Sequence, residues 1–126
     1  MKAIVQTAIC PLHSQPDLHS ELADEALYGM VVELLEQSGE WYRIRTHYRY
    51  EGWAPARCLL VGDSEAAEWA SLPKKVVLHK NTCDVMADPK VQSWVMATLT
   101  RGAVVSPVGD PHEGWQRVAL CDGRQG

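Results

Sequence analysis

The sequence of 126 residues contains no phenylalanine, so its large core residues must be Trp, Tyr, Leu, Met and the many Val. It also lacks an excess of positive charge, and a net charge of −4 gives no general attraction for nucleic acid or an anionic membrane. No apolar run approaches the roughly 20 residues that a bilayer-spanning helix needs. We therefore expect neither nucleic acid nor a membrane as a partner, and the hydrophobic fraction of 46% is that of a soluble folded protein.

Metal-binding spacings are missing as well. The cysteines form no C-x-x-C pair and the histidines no H-x-x-x-H pair, which are spacings typical of zinc sites. We expect no metal and no other cofactor. The four cysteines are then small buried hydrophobic residues, since a disulfide requires an oxidising compartment; they are Cys10, Cys58, Cys83 and Cys121.

The N-terminal stretch "MKAIVQTAIC" shows no export signal. Its apolar run is too short, and it continues into strand-like residues without a convincing cleavage site. If Met1 is the natural start, we expect a cytoplasmic protein. The alternative is a sequence that has been trimmed of an export signal and belongs to the cell envelope.

Residues 20–37, "SELADEALYGMVVELLEQ", suggest a long helix at first sight. Their apolar residues recur at spacings of three and four, and Gly29 is the only internal objection. However, "YGMVVELLEQSGEWYRIRT" from residue 28 aligns with "RGAVVSPVGDPHEGWQRVAL" from residue 101. In the second of these segments Pro107 interrupts any helix. The sequence therefore predicts a strand over residues 30–37, entered through a turn at Gly29.

The similarity continues upstream, where residues 3–16 resemble residues 75–89, so one unit occurs twice with a period of about 73 residues. We call residues 1–61 the first repeat and residues 74–126 the second repeat. Strands this short, separated by turns, are typical of a small barrel or sandwich. In the first repeat we expect them over residues 4–9, 30–36, 41–47 and 52–54.

Between the repeats, residues 62–73 ("GDSEAAEWASLP") predict a helical linker of one to two turns. Asp63 or Ser64 can cap its start, and Pro73 ends it. We expect Trp69 to pack between the two repeats.

The second repeat stops short of its expected closing strand. In the first repeat Trp53 follows Trp41 by twelve residues, and the same step from Trp115 leads to position 127. Gly126 is then the counterpart of Gly52. We expect the second repeat to be incomplete, the chain to be a fragment of a longer protein, and the open sheet edge to favour self-association. We also expect residues 75–126 to be the less stable part.

The segments "GEWYRIRT" and "YEGWAPARCL" in the first repeat resemble the signature G-x-W-x-x-V…G-x-x-G-W-V-x-x-x-x-L of bacterial SH3-like domains. "SELADEALYGMVVELLEQSGEWYRIR" is similar to the first such domain of NlpC-type cell-wall cysteine peptidases, which are γ-D-glutamyl-L-diamino acid endopeptidases. The resemblance implies a mainly β fold, with two small SH3-like β-barrels in tandem joined by the short helical linker. It implies a papain-like catalytic domain as a further partner, and a region that binds murein peptide or cell wall and favours peptides with a free N-terminal amine.

The catalytic motif of that family, D-C-S-G or close to it, is missing from this sequence. "LCDGR" at Cys121 has no histidine after it, and Cys58 lies where the last apolar strand of the barrel belongs. A nucleophilic cysteine needs a histidine base within hydrogen-bond reach. We therefore expect no catalysis by this chain, unless Cys58 is exposed beside His79 or His112.

Aromatic residues are the first candidate binding group. Tyr28, Tyr42, Tyr48, Tyr50 and Trp53 could form a stacking surface, or they could fill and cover a small barrel. For Trp41, Trp53 and Tyr42 we favour the second interpretation. Tyr48 and Tyr50 lie in the turn "THYRYEG", and loops on a rigid scaffold often carry function.

Charged residues provide two further candidates. Arg43 and Arg45 alternate along one strand face, where they could bind carboxylates of a murein peptide or form a solvated face balanced by Glu33 and Glu40. Asp24 and Glu25 precede "ALYG", and the resemblance suggests one of these carboxylates, with Tyr28 or Tyr50, as the receptor for a substrate amine. An ordinary acidic turn is the alternative.

Two functions remain open from the sequence. The first is a non-catalytic region of a murein peptidase that binds murein peptide and restricts the substrate. The second is a free-standing SH3-like module that binds peptides or proteins, such as Pro-rich segments held between aromatic side chains.

Overall fold

The structure, a computed structural model, describes residues 1–78 and 81–126 and is mainly β with one short α-helix. All strand pairs are antiparallel. The elements in chain order are β1 (Lys2–Val5), β2 (Ile9–His13), β3 (Leu22–Leu27), β4 (Val31–Ser38), β5 (Trp41–Arg45), β6 (Glu51–Pro55), a 3-10 turn (Ala56–Cys58), β7 (Leu59–Val61), α1 (Asp63–Ser71), β8 (Lys75–Val76), β9 (Thr82–Met86), β10 (Val95–Thr100), β11 (Val104–Pro107) and β12 (Val118–Ala119).

The first repeat forms one seven-stranded sheet in the order β3-β2-β6-β5-β4-β1-β7. β3 and β7 do not pair with each other within the described residues, so the sheet keeps two edges and the predicted barrel is not closed. The single strand predicted over residues 4–9 is also wrong. It divides into β1 and β2 because Gln6 turns away: its backbone N–H donates to Cys58 O at 2.9 Å, and its side-chain amide donates to Arg57 O at 3.2 Å.

The segment over residues 20–37 contains no helix. It is a pair of strands, β3 and β4, on either side of a turn at Gly29, whose φ of 86° is in the left-handed region that favours glycine. The strand predicted from the second repeat is confirmed, but β3 was not predicted. The apparent helical spacing arises because both faces of these strands meet apolar neighbours, with Ala26 in one core and Leu27 touching the second repeat near Gly102.

Two buried clusters divide the side chains of β1 between them. Ala3 and Val5 point into the core beneath the first sheet, whereas Ile4 points the other way, as strand alternation requires. The second cluster joins the two repeats: it contains Ile4, Tyr28, Ala66, Trp69, Val85, Leu99, Ala103, Val105, Leu120 and Cys121.

Helix α1 connects the repeats and holds Trp69 in this second cluster. Trp69 is 3% exposed, and its Nε1–H donates to Gly29 O at 2.8 Å. The predicted cap is wrong, because Gly62 is the N-cap residue and no side chain caps the helix. Asp63 instead accepts a hydrogen bond from the backbone N–H of Lys2 at 2.6 Å, which ties the helix start to β1.

The second repeat reproduces the hairpin of the first. β9 and β10 are β2 and β3 displaced by 73 positions, with the same pairing register and the same irregularity near the hairpin tip. Even the tip bonds recur: Ser20 Oγ donates to Gln15 O at 3.0 Å, and Ser93 Oγ donates to Asp88 O at 3.2 Å. The remaining strands form a separate three-stranded sheet, β12-β11-β8.

Within residues 1–78 and 81–126, no helix has the length and apolar character to cross a bilayer.

Candidate functional site

The turn between β5 and β6 carries the aromatic side chains of the candidate site. Thr46 fixes both ends of it: Thr46 N donates to Tyr50 O at 2.9 Å, and Tyr50 N donates to Thr46 Oγ1 at 3.0 Å. Arg49 adopts a φ of 66°, which reverses the chain between them. These hydrogen bonds within the turn order its backbone. Tyr48 points outward from it, whereas Tyr50 packs against the first core.

Tyr48 and Asp24 form the polar centre of the site. The Tyr48 hydroxyl donates to Asp24 Oδ2 at 2.7 Å across 24 residues of sequence. The other carboxylate oxygen, Oδ1, accepts the backbone N–H of Glu25 at 2.8 Å. Partial burial raises the pKa of the Tyr48 phenol, and the hydrogen bond and charge of Asp24 raise it further. A carboxylate held between two donors at an open surface is suited to bind a cation.

Glu25 and Tyr28 do not join this centre. Strand alternation directs Glu25 to the face of β3 opposite Asp24. Tyr28 is 5% exposed, and its hydroxyl oxygen accepts the backbone N–H of Cys121 at 3.1 Å. Burial raises the pKa of Tyr28, in keeping with a neutral phenol between the repeats. Of the tyrosines suggested as amine receptors, Tyr28 is thus inaccessible, and the contact to Asp24 comes from Tyr48.

The arginine face of β5 is occupied by carboxylates of the same sheet. Arg43 contacts Glu36 at 2.8 Å and Glu51 at 2.7 Å, and Arg45 contacts Glu33 at 3.4 Å and Glu51 at 3.2 Å. The hydrogen bond to Glu36 is the main reason that the pKa of Arg43 is raised. Sequence reasoning included Glu33 but not Glu36 or Glu51.

The predicted role of Glu40 on this face is wrong. The described ion pairs of the two arginines involve Glu33, Glu36 and Glu51, and Glu40 instead borders the 3-10 turn, where its carbonyl oxygen accepts the Ala56 N–H at 2.8 Å. Glu51 lies directly opposite Arg45 in the β5–β6 hairpin. Aligning these two strands in the sequence would therefore have indicated the Arg45–Glu51 pair.

The aromatic residues expected to fill and cover the barrel have different locations. Tyr42 packs against the first core, in agreement with the prediction. Trp41 and Trp53 are half-buried outside that core: Trp41 meets the His13 ring edge-on at 5.4 Å, and Trp53 lies opposite Arg43. These two tryptophans cover the outer face of the sheet and do not fill its interior.

Cys58 does not have the surroundings of a catalytic nucleophile. It is 2% exposed, next to Cys10 in the first core. The hydrogen bond from Cys10 lowers the pKa of Cys58 to about 6, and the same contact, together with burial, raises the pKa of Cys10. His112 is solvent-exposed beside Glu113, while His79 lies outside the described residues. Burial excludes a substrate from this thiol.

Neither grouped metal ligands nor two small clefts mark a further site among residues 1–78 and 81–126. In the described part of the chain, no three His, Cys, Asp or Glu side chains are grouped to hold a metal ion. Two clefts, of about 220 and 270 Å³, are small against the ~300–1,000 Å³ of ordinary ligand pockets, and neither is lined by Asp24 or Tyr48. The candidate site is therefore an open surface.

Comparison with known proteins shows what the part of the chain that carries this site is similar to. Residues 10–59 match the bacterial SH3 domain family. Over 130 residues the chain is 35% identical to dipeptidyl-peptidase 6 of Lysinibacillus sphaericus, a match that takes in 100% of this chain and 48% of that protein. The crystal structure of an NlpC/P60 family protein from Bacillus cereus superposes with a TM-score of 0.80 at 16% identity, covering 99% of this chain and 53% of that one.

Residues 10–59 are thus similar to a bacterial SH3 domain, and the whole chain is similar to part of a dipeptidyl-peptidase. At 16% identity the structural match shows the fold alone. The chain spans about half the length of these relatives. Asp24, Tyr28 and Tyr48 all lie in the stretch that matches the SH3 family, and Tyr28 also contacts the second repeat.

Proposed function

We propose that this chain is the murein-peptide-binding, substrate-restricting SH3-like region of a larger cell-wall peptidase, and that it has no catalytic role of its own. In this proposal residues 1–61 and 74–126 are two SH3-like domains in tandem, linked by residues 62–73. The bacterial SH3 match, the similarity to a dipeptidyl-peptidase and the exact recurrence of the β2–β3 hairpin register support it. The catalytic domain is a partner that this chain does not contain.

The contact between Asp24 and Tyr48 is the observation that carries the proposal. A free N-terminal amine is a cation that donates up to three hydrogen bonds, and Asp24 is a partly exposed carboxylate already held in place by Tyr48 and the Glu25 N–H. Charge-assisted hydrogen bonds are roughly twice as strong as neutral ones. The site would therefore prefer a murein peptide with a free amine over one that is blocked.

The arginine face has a structural role in this proposal. Each of Arg43 and Arg45 already contacts two carboxylates, so a peptide carboxylate would have to displace one of them. Exposed ion pairs of this kind contribute little stability individually, but as a network they fix the side chains. We assign Arg43 and Arg45 to the solvated outer face of the sheet.

Titration with an L-Ala–γ-D-Glu–diaminopimelate peptide tests the function. The wild-type chain should bind the peptide, and N-acetylation of the peptide or Asp24→Asn should weaken binding about tenfold or more, which equals ~1.4 kcal/mol. Glu25→Gln is the matched control, because it removes one negative charge from the neighbouring residue on the opposite face and should have little effect.

Two results would contradict the proposal. Equal binding of the free and acetylated peptides would remove Asp24 as an amine receptor. Binding of a Pro-rich peptide, with no binding of the murein peptide, would instead identify the chain as a general SH3-like interaction module.

A further inference from the structure

β3 and β10 are equivalent outer strands of the two hairpins, and each pairs on one side only within the described residues. They correspond under the displacement of 73 positions, with the same register against β2 and β9. In an antiparallel pair, every second residue points its backbone N–H and C=O away from the partner strand. These outward groups decide whether a further strand can pair with the edge.

Hydrogen bonds at the ends of the two hairpins identify the outward groups. Tyr28 N donates to Ala8 O at 3.4 Å, and Arg101 N donates to Asn81 O at 3.1 Å. Both bonds point inward, toward the paired strand, so the strand alternation fixes the direction of the residues before them. The outward positions are Glu25 and Leu27 on β3, and Thr98 and Thr100 on β10.

In the first repeat, side chains cap both outward N–H groups. Glu25 N donates to Asp24 Oδ1 at 2.8 Å, and Leu27 N donates to Met30 Sδ at 3.4 Å. β3 also carries two carboxylates, and charged side chains on an edge strand disfavour pairing with another strand. The edge of β3 is therefore protected by its caps and by its charge.

The edge of β10 has neither form of protection. The counterparts of Asp24 and Met30 are Ala97 and Ala103, whose methyl groups accept no hydrogen bond. The strand itself, VMATLT, contains no charged residue, and Val95 at its start is 53% exposed. An uncharged edge strand with uncapped N–H groups is a template for pairing with another chain.

The edge of β10 is also complementary to itself. Thr98 is exposed and Thr100 half-buried, and they lie two residues apart. A two-fold axis through Leu99 therefore places Thr98 of each copy opposite Thr100 of the other, where their outward N–H and C=O groups form four backbone hydrogen bonds. The threonine side chains then face each other across the two strands, which is a favourable cross-strand pair.

We propose that β10 is a dimer interface, in which two copies of this chain pair antiparallel through the outer edges of their β10 strands. The two β9–β10 hairpins then form one four-stranded sheet. The occupant is a second copy because the outward groups of the same two residues complete each other under the two-fold axis. The interface involves neither Asp24 nor Tyr48, so it is independent of the proposed murein-peptide site.

Sedimentation equilibrium of the 126-residue chain over a range of concentrations tests this interface. The wild-type chain should show a reversible equilibrium between monomer and dimer. Thr98→Lys, which places a charge on the edge, should raise the dissociation constant by about tenfold or more. Glu25→Lys is the matched control, because it introduces lysine at the equivalent position of β3, and it should leave the dissociation constant unchanged.

Ala97→Asp is a second variant, because it gives β10 the carboxylate with which Asp24 caps β3, and it should also weaken the dimer. In the wild-type chain, amide hydrogen exchange of Thr98 and Thr100 should slow as the protein concentration rises, which locates the contact without any substitution. Three results would overturn the proposal: a monomer at every concentration, which would leave the edge to a strand of a different protein; a dimer that Thr98→Lys does not weaken; or exchange of Thr98 and Thr100 that is independent of concentration.

Discussion

At the scale of single residues, the site depends on one hydrogen bond between elements that are distant in sequence. Asp24 lies on β3 and Tyr48 on the turn after β5, and their side chains meet at 2.7 Å. Partial burial and then the Asp24 carboxylate raise the pKa of the Tyr48 phenol, and the phenol donates its hydrogen bond to that carboxylate. Glu25, adjacent in sequence, cannot substitute for Asp24 because it points to the other face of the strand.

The titration of Tyr48 should reveal this contact. Burial and Asp24 raise its pKa above the ordinary value of about 10, so its contribution to stability is present below pH ~10 and is lost as the pH rises through the raised pKa. Asp24→Asn should lower the pH midpoint of Tyr48 ionisation. The midpoint is measured by the absorbance of the phenolate, and Tyr48→Phe shows which part of the signal comes from Tyr48. An unchanged midpoint in Asp24→Asn would show that Asp24 does not contact the phenol. Glu25→Gln is the control and should leave the midpoint of Tyr48 unchanged.

Trp69 provides a second residue-scale prediction. Trp69→Phe keeps an aromatic ring but leaves the carbonyl oxygen of Gly29 without the Nε1–H donor. Leaving a buried acceptor unpaired costs about 1–3 kcal/mol, which should appear in the free energy of unfolding by urea. The control is Trp94→Phe, because Trp94 is 84% exposed and should change stability by less than about 0.5 kcal/mol. Equal effects of the two substitutions would contradict the role of the hydrogen bond.

At the scale of elements, the sequence predicts a strand where its repeat contains a residue that excludes a helix, and it fails where no such residue is present. Pro107 excludes a helix at β11 and therefore at β4. No such residue marks β3, whose apolar side chains face two different cores and imitate a helical spacing. The corner that separates β1 from β2 was missed because its bonds come from the 3-10 turn, about fifty residues later.

The candidate site was predictable in its residue types but not in its pairing. The resemblance suggested Asp24 or Glu25, with Tyr28 or Tyr50, as the amine receptor, and Tyr48 and Tyr50 were predicted to bind because they lie in a turn. Which carboxylate meets which tyrosine depends on the register of β2, β3 and β6, and a shift of one residue would exchange Asp24 for Glu25. The sequence alone does not encode that register in any short motif.

The turn between β3 and β4 is also a contact between the repeats. Gly29 has a φ of 86°, and a methyl group there would overlap the carbonyl oxygen of Val104 in the second repeat. Gly29→Ala should therefore be destabilising by more than the ~1–2 kcal/mol of the left-handed backbone alone. Gly39→Ala separates the two effects, because Gly39 has a φ of 58° but no neighbouring atom within 4 Å. Thermal unfolding of both variants measures the difference, and equal losses would exclude the overlap.

At the scale of the whole molecule, the two repeats share one buried cluster and therefore do not pack as independent units. Ile4, Tyr28 and Trp69 from the first repeat and the helix are covered by side chains of the second, among them Leu99 and Leu120. Tyr28 accepts a hydrogen bond from the second repeat, and its own carbonyl oxygen accepts the Val104 N–H at 2.8 Å. The candidate site at Asp24 lies on β3, which leads directly into this contact between the repeats.

Removal of the second repeat should therefore destabilise the first. In a chain of residues 1–73, Ile4, Tyr28 and Trp69 would be uncovered, and each large side chain loses about 1.5–3 kcal/mol of burial if fully exposed. We expect a lower midpoint of thermal unfolding than in the full chain and tryptophan emission shifted to longer wavelength, since Trp69 enters water. Unfolding of residues 1–73 at the same temperature as the full chain would contradict the shared cluster and would make the first repeat a self-sufficient domain.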